Sequence, residues 1–357
     1  MKKLRVKLKN HSYNIFYENK LLEGSFILDF CQKMANSFVI ITHKNLEQQL
    51  AKPLLEKFLQ RNLKVKLLSF ENKEINKTRK TKELIENQIL ESNYGRDSLI
   101  IALGGGIVSD IAGFVASTYM RGIPYVAIPT TLLAMVDASI GGKTGVNTEY
   151  GKNTIGVIYH PSAVFIDFDV LKSLSDDEMK NGLVEMLKHT LIMKKKDFYD
   201  LLHSSFISQE MIIKSINIKR KIIQKDENDN NLRKILNFGH TICHAIEAGL
   251  DYQITHGEAL AYGILIESHL SYVMNFLSKK EFEEIYSFLM TKKLLKDIPN
   301  LSKEKIISFL KRDKKNILGK NRFVLLKCIG KSINNVEIIE NNILNSFSFV
   351  VGGKTIC

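Results

Sequence analysis

Four short β-rich apolar runs limit what this chain can fold into more than any other feature: SFVIITH (Ser37 to His43), LKVKLLSF (Leu63 to Phe70), SLIIAL (Ser98 to Leu103) and YVAIP (Tyr125 to Pro129). Stretches of helical periodicity separate them. Strands that alternate with helices argue for crossover connections and a mainly parallel sheet, so the first half is expected to be an α/β domain of Rossmann type. From about Asp169 onward the apolar spacing becomes helical, as in NGLVEMLKHTLI and GEALAYGILIESHLSYVMNFL. A boundary near residue 168 follows, with a nucleotide-binding α/β domain over 1–168 and a mainly α-helical domain over 169–357.

The chain has 357 residues, enough for two domains, and its 45% hydrophobic content suits a packed core rather than a disordered chain. The N-terminal MKKLRVKLKNHSYNIFY alternates apolar and charged residues where a signal peptide needs an unbroken apolar run, and reads as an amphipathic strand. No apolar stretch approaches the roughly 18 to 20 residues that span a bilayer. The cysteines, Cys31, Cys243, Cys328 and Cys357, form no CxxC pair, so neither a disulfide framework nor a thiolate zinc site is indicated and a reducing cytoplasm fits. The net charge of +13 is spread along the chain without interleaved aromatics. It therefore argues against a nucleic-acid partner and suits an anionic small molecule.

The segment GGGIVSD, Gly104 to Asp110, follows one of the apolar runs and opens a helical pattern. Backbone amides there can approach a pyrophosphate, with the positive helix end behind them. The spacing is not GxGxxG, so alone it is equally a tight turn without a ligand. Thr130 and Thr131 follow the next run, where loops at carboxyl strand ends collect ligands in open α/β sheets.

LNFGHTICHAIE and HGEALAYG gather three histidines within seventeen positions, which suggests a metal site. His240 and His244, spaced i, i+4, share a helix face, and spacing alone points to those two as ligands. Glu247 lies one turn further on, and His256 opens the next helical segment. Glu185 and Lys188, one turn apart in NGLVEMLKH, read by spacing as a surface salt bridge. His189 and His269 read as ordinary helix residues. Lys143 in GGKTG, Lys152 and Asn153 in YGKNTIG, Lys219 and Arg233 about the acidic KDENDNN tract, and Lys314 and Lys315 in DKKN could serve an anion or be solvated surface charge.

Taken in order, GGGIVSD, YMRGIPYVAIPTTLLAMVDASIGGKTGVN, GKNTIGVIYHP, GLVEMLKH, KDENDNNLRKILNFGHTICHAIE, HGEALAYG and DKKN closely resemble the 3-dehydroquinate synthases over about residues 70 to 330. The resemblance implies a homodimer in which an NAD-binding domain and a helical metal-binding domain flank the active site. It assigns zinc, with cobalt as a substitute, to Glu185, His240 and His256, which displaces His244 from the spacing-based choice to a place near a leaving phosphate. Around the substrate it places Asp137, Lys143, Lys152, Asn153, Lys188, Lys219, Arg233, Asn237 and Lys314 or Lys315, with Arg121 entering the neighbouring subunit's site. Around NAD it places Glu74, Lys77, Gly105, Gly106, Ile107, Val108, Ser109, Asp110, Thr130, Thr131, Lys143 and Lys152. Ser109, Lys73 and Ser175 depart from the family's usual residues.

The activity so implied belongs to the shikimate pathway of aromatic amino acid biosynthesis. It is a carbon–oxygen lyase reaction converting 3-deoxy-D-arabino-heptulosonate 7-phosphate to 3-dehydroquinate and phosphate, by transient NAD oxidation, β-elimination, re-reduction and aldol closure. The competing readings are another sugar-phosphate cyclase and a metal-dependent polyol dehydrogenase.

Overall fold

The computed structural model describes residues 1–9, 11–297 and 322–351, which divide into two compact units, Met1–Met179 and Lys180–Cys357. The first unit is built on a seven-stranded sheet. Its strands in chain order are β1 (Lys2–Val6), β2 (Tyr13–Glu18), β3 (Ser37–His43), β4 (Lys64–Phe70), β5 (Ser98–Gly104) and β6 (Tyr125–Pro129), joined after the hairpin β7 (Lys143–Thr148) and β8 (Gly151–Ile158) by β9 (Ala163–Asp167). The spatial order is β1-β2-β9-β6-β5-β3-β4, and every pairing in it except β1 with β2 is parallel.

The four runs singled out in the sequence are β3 to β6. Every residue of β3, β5, β6 and β9 is buried, as expected of parallel strands covered on both faces. The edge strand β4 leaves Lys64 exposed, a charge that blunts pairing with other chains. One face is sealed by stacked and edge-on rings, with Phe16 and Phe165 centroids 5.5 Å apart and Phe30 and Phe165 5.3 Å apart. The helix Gly106–Thr118 buries Val108, Ile111, Ala112 and Val115.

The N-terminal segment read as one amphipathic strand is instead two, β1 and β2, in antiparallel register from Lys2 opposite Tyr17 to Val6 opposite Tyr13. Strand β2 then pairs with β9, which lies almost 150 residues on, a long-range pairing that a local alternation pattern cannot reveal.

The chain passes from β3 outward to β4 and returns to β5 on the other side of β3 before continuing to β6. The strand order therefore reverses between β3 and β5, and open α/β sheets bind ligands beyond the carboxyl ends of strands at such a point. The turn after β5 is Gly104–Gly105.

The second unit is mainly helical. It holds most of the helix Asp176–Met193 and then Lys195–Leu202, Gln209–Lys225, His240–Gly249, His256–Val273, Lys279–Thr291 and Glu340–Val351. The expected mainly helical character holds, with an antiparallel hairpin added, β10 (Arg322–Cys328) and β11 (Lys331–Glu337). Its strand β10 buries Phe323 to Leu326 and is tied to the helix His256–Val273 by the Leu326 N–H, which donates to Ser271 Oγ at 3.0 Å.

Candidate active site

In the first unit, the helix Gly106–Thr118 starts at Gly105 with no side chain capping it, so its first amides remain available to an anion. Gly106 and Ile107 are half-buried, Val108 and Ser109 buried, and Asp110 half-buried one turn in. Thr130 donates its N–H to Gly104 O at 3.1 Å, which sets the turn after β6 beside the turn after β5, and a side chain at Gly105 would meet Thr131 at 3.3 Å. The absence of that side chain keeps the surroundings of the helix end open, which suits a pyrophosphate.

The loop before the helix Arg79–Glu91 is fastened to the β7–β8 hairpin. Lys77, almost fully buried, pairs its ammonium with Asp110 and donates to Asn153 Oδ1 at 2.6 Å. Asn147 Nδ2 donates to Glu74 Oε1 at 2.8 Å, its Oδ1 accepts from Asn153 N at 2.9 Å, and Lys152 Nζ stands 3.8 Å from the same Glu74 oxygen. One network thus joins Glu74, Lys77, Asp110, Lys152 and Asn153. Lys143, at the start of β7, is exposed, and Asp137 is half-buried in the turn Ala134–Ala138. Arg121 is exposed on a strained turn, where Met120, Arg121 and Gly122 have φ of 50°, 67° and 110°.

In the second unit, Glu185 is fully buried on the helix Asp176–Met193 and pairs with Lys188 at 2.5 Å. The surface salt bridge suggested by spacing is corrected: these side chains are 0% and 2% exposed. Glu185 Oε1 lies 3.5 Å from His240 Nε2 and 3.4 Å from His256 Nε2. His240 Nδ1 sits 3.2 Å from Phe238 O, and His256 Nδ1 sits 3.2 Å from Glu247 Oε1.

The proton positions follow from the partners. A carbonyl can only accept, as can a carboxylate oxygen when ionised, so both Nδ1 atoms are placed to donate. Both Nε2 atoms then face one carboxylate oxygen, where a ring proton or a cation can sit. Burial would lower the His256 pKa, but Cys243, Glu185 and Glu247 outweigh it and hold it well above the usual imidazole range in the metal-free protein, so a bound cation would replace that proton. Tetrahedral zinc with ligands at 2.0–2.2 Å separates its donor atoms by about 3.3–3.6 Å, and the observed 3.4 and 3.5 Å fit.

Charge in the cluster is shifted accordingly. Burial alone would raise the Glu185 carboxyl, but the Lys188 ammonium and the two imidazoles hold it well below the usual carboxylate range. Burial, followed by Lys188, pushes His240 down to about 4, leaving it a neutral donor near neutral pH.

Local sequence sets these positions. Gly239 adopts a φ of +80° just before His240 and donates its N–H at 2.6 Å to the buried Glu267, while a Cβ there would meet Ile264 at 2.9 Å. A Cβ on Gly263 would come within 2.1 Å of Gly239 O, so the helices bearing His240 and His256 approach through two glycines. His256 follows the N-cap Thr255, whose reciprocal capping box with Glu258 fixes the first turn.

His244, chosen by spacing, is exposed and lies outside this three-donor group, with its ring 5.5 Å from that of His240. Arg233 and Lys219 are buried at 2% and 7% exposure, and Asn237 is half-buried. The Arg233 guanidinium donates to Glu227 O at 2.6 Å. His189 is fully buried against Ser215 Oγ at 2.8 Å. Lys314 and Lys315 lie outside the described residues. Sequence reading left Glu267 without a role; its burial inside a helix was the missing signal.

The 3-dehydroquinate synthase N-terminal family model matches residues 67–181, and the 3-dehydroquinate synthase C-terminal model matches residues 182–316. The chain belongs to the 3-dehydroquinate synthase family. A 3-dehydroquinate synthase of Pelagibacter ubique is 40% identical over 362 residues, covering 96% of this chain and 96% of the relative. One from Thermoanaerobacter pseudethanolicus is 40% identical over 344 residues, covering 92% and 95%. Among solved structures, a 2-deoxy-scyllo-inosose synthase complexed with carbaglucose-6-phosphate, NAD+ and Co2+ superposes with a TM-score of 0.87 at 26% identity, covering 97% of this chain and 99% of that one. Glycerol dehydrogenase from Schizosaccharomyces pombe, at 18% identity and a TM-score of 0.65 with 95% and 88% covered, shares the fold. Among the described residues no helix is long and apolar enough to cross a membrane.

Proposed function

We propose that the chain converts 3-deoxy-D-arabino-heptulosonate 7-phosphate to 3-dehydroquinate and phosphate, as a cytoplasmic homodimer using NAD and a divalent cation, zinc or cobalt. The observation that carries this is the convergence of Glu185, His240 and His256 in a chain 40% identical to 3-dehydroquinate synthases over nearly its whole length. The cobalt and NAD+ of the inosose synthase complex support the cofactor choice.

Glu185, His240 and His256 would hold the cation, and the uncapped Gly105–Asp110 turn with Thr130, Thr131, Glu74 and Lys77 would hold the dinucleotide. When bound, the two groups supply Lewis acidity and a reversible hydride acceptor. In the metal-free protein Lys188 is the positive partner that holds the buried Glu185 carboxyl well below the usual carboxylate range, a part that a bound cation would share. Arg233 offers a planar fork that matches the substrate carboxylate, with Lys219 as a second cation, while Asn237 and Asp137 would stand elsewhere around the substrate. Lys143, Asn153 and His244 would balance the charge of the departing phosphate, joined by Arg121 of the other subunit, with Lys152 also beside the substrate. The strained turn at Met120–Gly122 supports a functional role for Arg121, since strain of this kind persists where the surroundings enforce it.

The test is phosphate release from the heptulosonate phosphate with trace NAD, the carbocycle identified by NMR. Many turnovers without NADH accumulating are expected. Stoichiometric NADH formation would instead make the protein a polyol dehydrogenase, and efficient turnover of glucose 6-phosphate would make it another cyclase.

A further inference from the structure

His240 and His256 are oriented by different acceptors. The Nδ1 of His240 meets a neutral backbone carbonyl, Phe238 O, whereas that of His256 meets the carboxylate of Glu247. Glu247 lies on the same helix as His240, two turns further on, so one helix carries both His240 and the group that faces His256 of the next helix. Its side chain is fully buried. A buried carboxylate needs a polar partner, and Glu247 Oε1 meets an imidazole whose other nitrogen faces Glu185.

We propose that Glu247 is a positioning residue for the cation: it accepts the Nδ1 proton of His256 and thereby fixes that ring with its Nε2 lone pair aimed at Glu185 and His240. The inference rests on the cation-binding reading given above. Without an acceptor at Nδ1 the ring is free to take the other tautomer, with hydrogen on Nε2, and one of the three donors is lost. A carboxylate does this better than an amide because it has no proton to offer and cannot present a donor to Nδ1. It also polarises the ring and makes Nε2 a stronger donor, so His256 is the more tightly held and more electron-rich of the two imidazoles.

A competing arrangement uses the same atoms. Cys243 Sγ lies 3.7 Å from His256 Nδ1, and the donor atoms of Cys243, Glu247 and His256 all fall within 4.8 Å of one another, close enough to hold a cation themselves. In that case Glu247 would be a ligand of a second ion and His256 a bridge between two. The two arrangements differ in stoichiometry and in sulfur coordination, and cobalt reports both.

The experiment titrates the full-length protein with Co2+ in competition with a chelator, following the visible d–d bands. One cobalt per chain without a sulfur-to-cobalt charge-transfer band is expected. Glu247→Ala should weaken cobalt binding by roughly 10- to 100-fold and alter the band shape, while Glu247→Gln, whose amide oxygen can still accept, should fall between it and the parent. Cys243→Ala should leave the spectrum unchanged.

Parent-like affinity and band shape in Glu247→Ala would overturn the proposal. So would a second cobalt whose charge-transfer band disappears in Cys243→Ala. If the parent protein binds no cobalt, the cation-binding reading itself fails, and the inference falls with it. Should Glu247→Ala fail to fold, nitrogen-15 NMR of the zinc-loaded parent decides: zinc on Nε2 and hydrogen on Nδ1 of His256 supports the proposal, and the reverse sinks it.

Discussion

The Asp226 carboxylate accepts the backbone N–H of Arg233 at 2.9 Å, and with it those of Asn231 at 2.7 Å and Asn230 at 3.0 Å. One side chain at the end of the helix Gln209–Lys225 therefore folds the acidic tract into the turn from which the buried Arg233 projects.

Asp226 should make stability and Arg233 placement depend on acid. Burial by itself would raise its pKa, but the amides of Arg233, Asn231 and Asn230 outweigh that and lower it from 3.8. A carboxylate depressed on folding contributes stability that is complete above its unfolded value and lost as the pH falls through the folded one. Asp226→Ala should lower unfolding stability by about 1–3 kcal/mol at pH 7, and the difference should shrink below pH 3.8. Denaturant titrations at both pH values check this. A difference that grows in acid would contradict it.

Arg233→Ala should reduce kcat/KM for the heptulosonate phosphate by roughly two orders of magnitude, equivalent to about 3 kcal/mol for one charged pair lost from a buried site. Sugar phosphates without a carboxylate should be poor substrates of the parent, because they would leave the guanidinium unmatched. Steady-state kinetics with both substrate types measure the two effects. Unchanged kcat/KM would remove Arg233 from the site.

Lys188→Met should destabilise the metal-free protein by about 3–5 kcal/mol, because it leaves the fully buried Glu185 without its ammonium. A divalent cation offers the same carboxylate another positive partner, so added zinc should restore more melting temperature to this variant than to the parent. Thermal unfolding with zinc and with chelator provides the comparison. Equal zinc responses would mean that Lys188 and the cation do not share Glu185.

Gly239→Ala should lose about 1–3 kcal/mol, since alanine must take a φ of +80° and place its Cβ 2.9 Å from Ile264. Because the same turn delivers His240, zinc content measured on purified protein should fall as well. Full zinc occupancy in a destabilised variant would uncouple the turn from the cation.

The fold class was legible because β3, β5 and β6 bury every residue, and burial on both faces writes itself into the chain as an apolar run. The hairpin β10–β11 was not, since its short strands follow long helical patterns and are covered through contacts with the distant Ser271. At the site, residue types and order carried the resemblance, and with it the choice of Glu185, His240 and His256. Spacing alone chose His240 and His244, and His244 lies on the helix of His240 but is exposed.

By itself, then, the sequence determined the alternation of strands and helices, the glycines at the β5 turn and at Gly239, and the supply of imidazoles, carboxylates and cations. Only the tertiary structure decided which of them meet. Periodicity reports how a residue faces its own helix, whereas the approach of Glu185 to His240 and His256, of Glu247 to His256 and of Glu267 to Gly239 depends on where three separate helices pack. The same burial turned a helix salt bridge of ordinary spacing, Glu185 with Lys188, into a charged pair sealed from water. Desolvation is a property of the packed interior, and no local pattern along the chain encodes it.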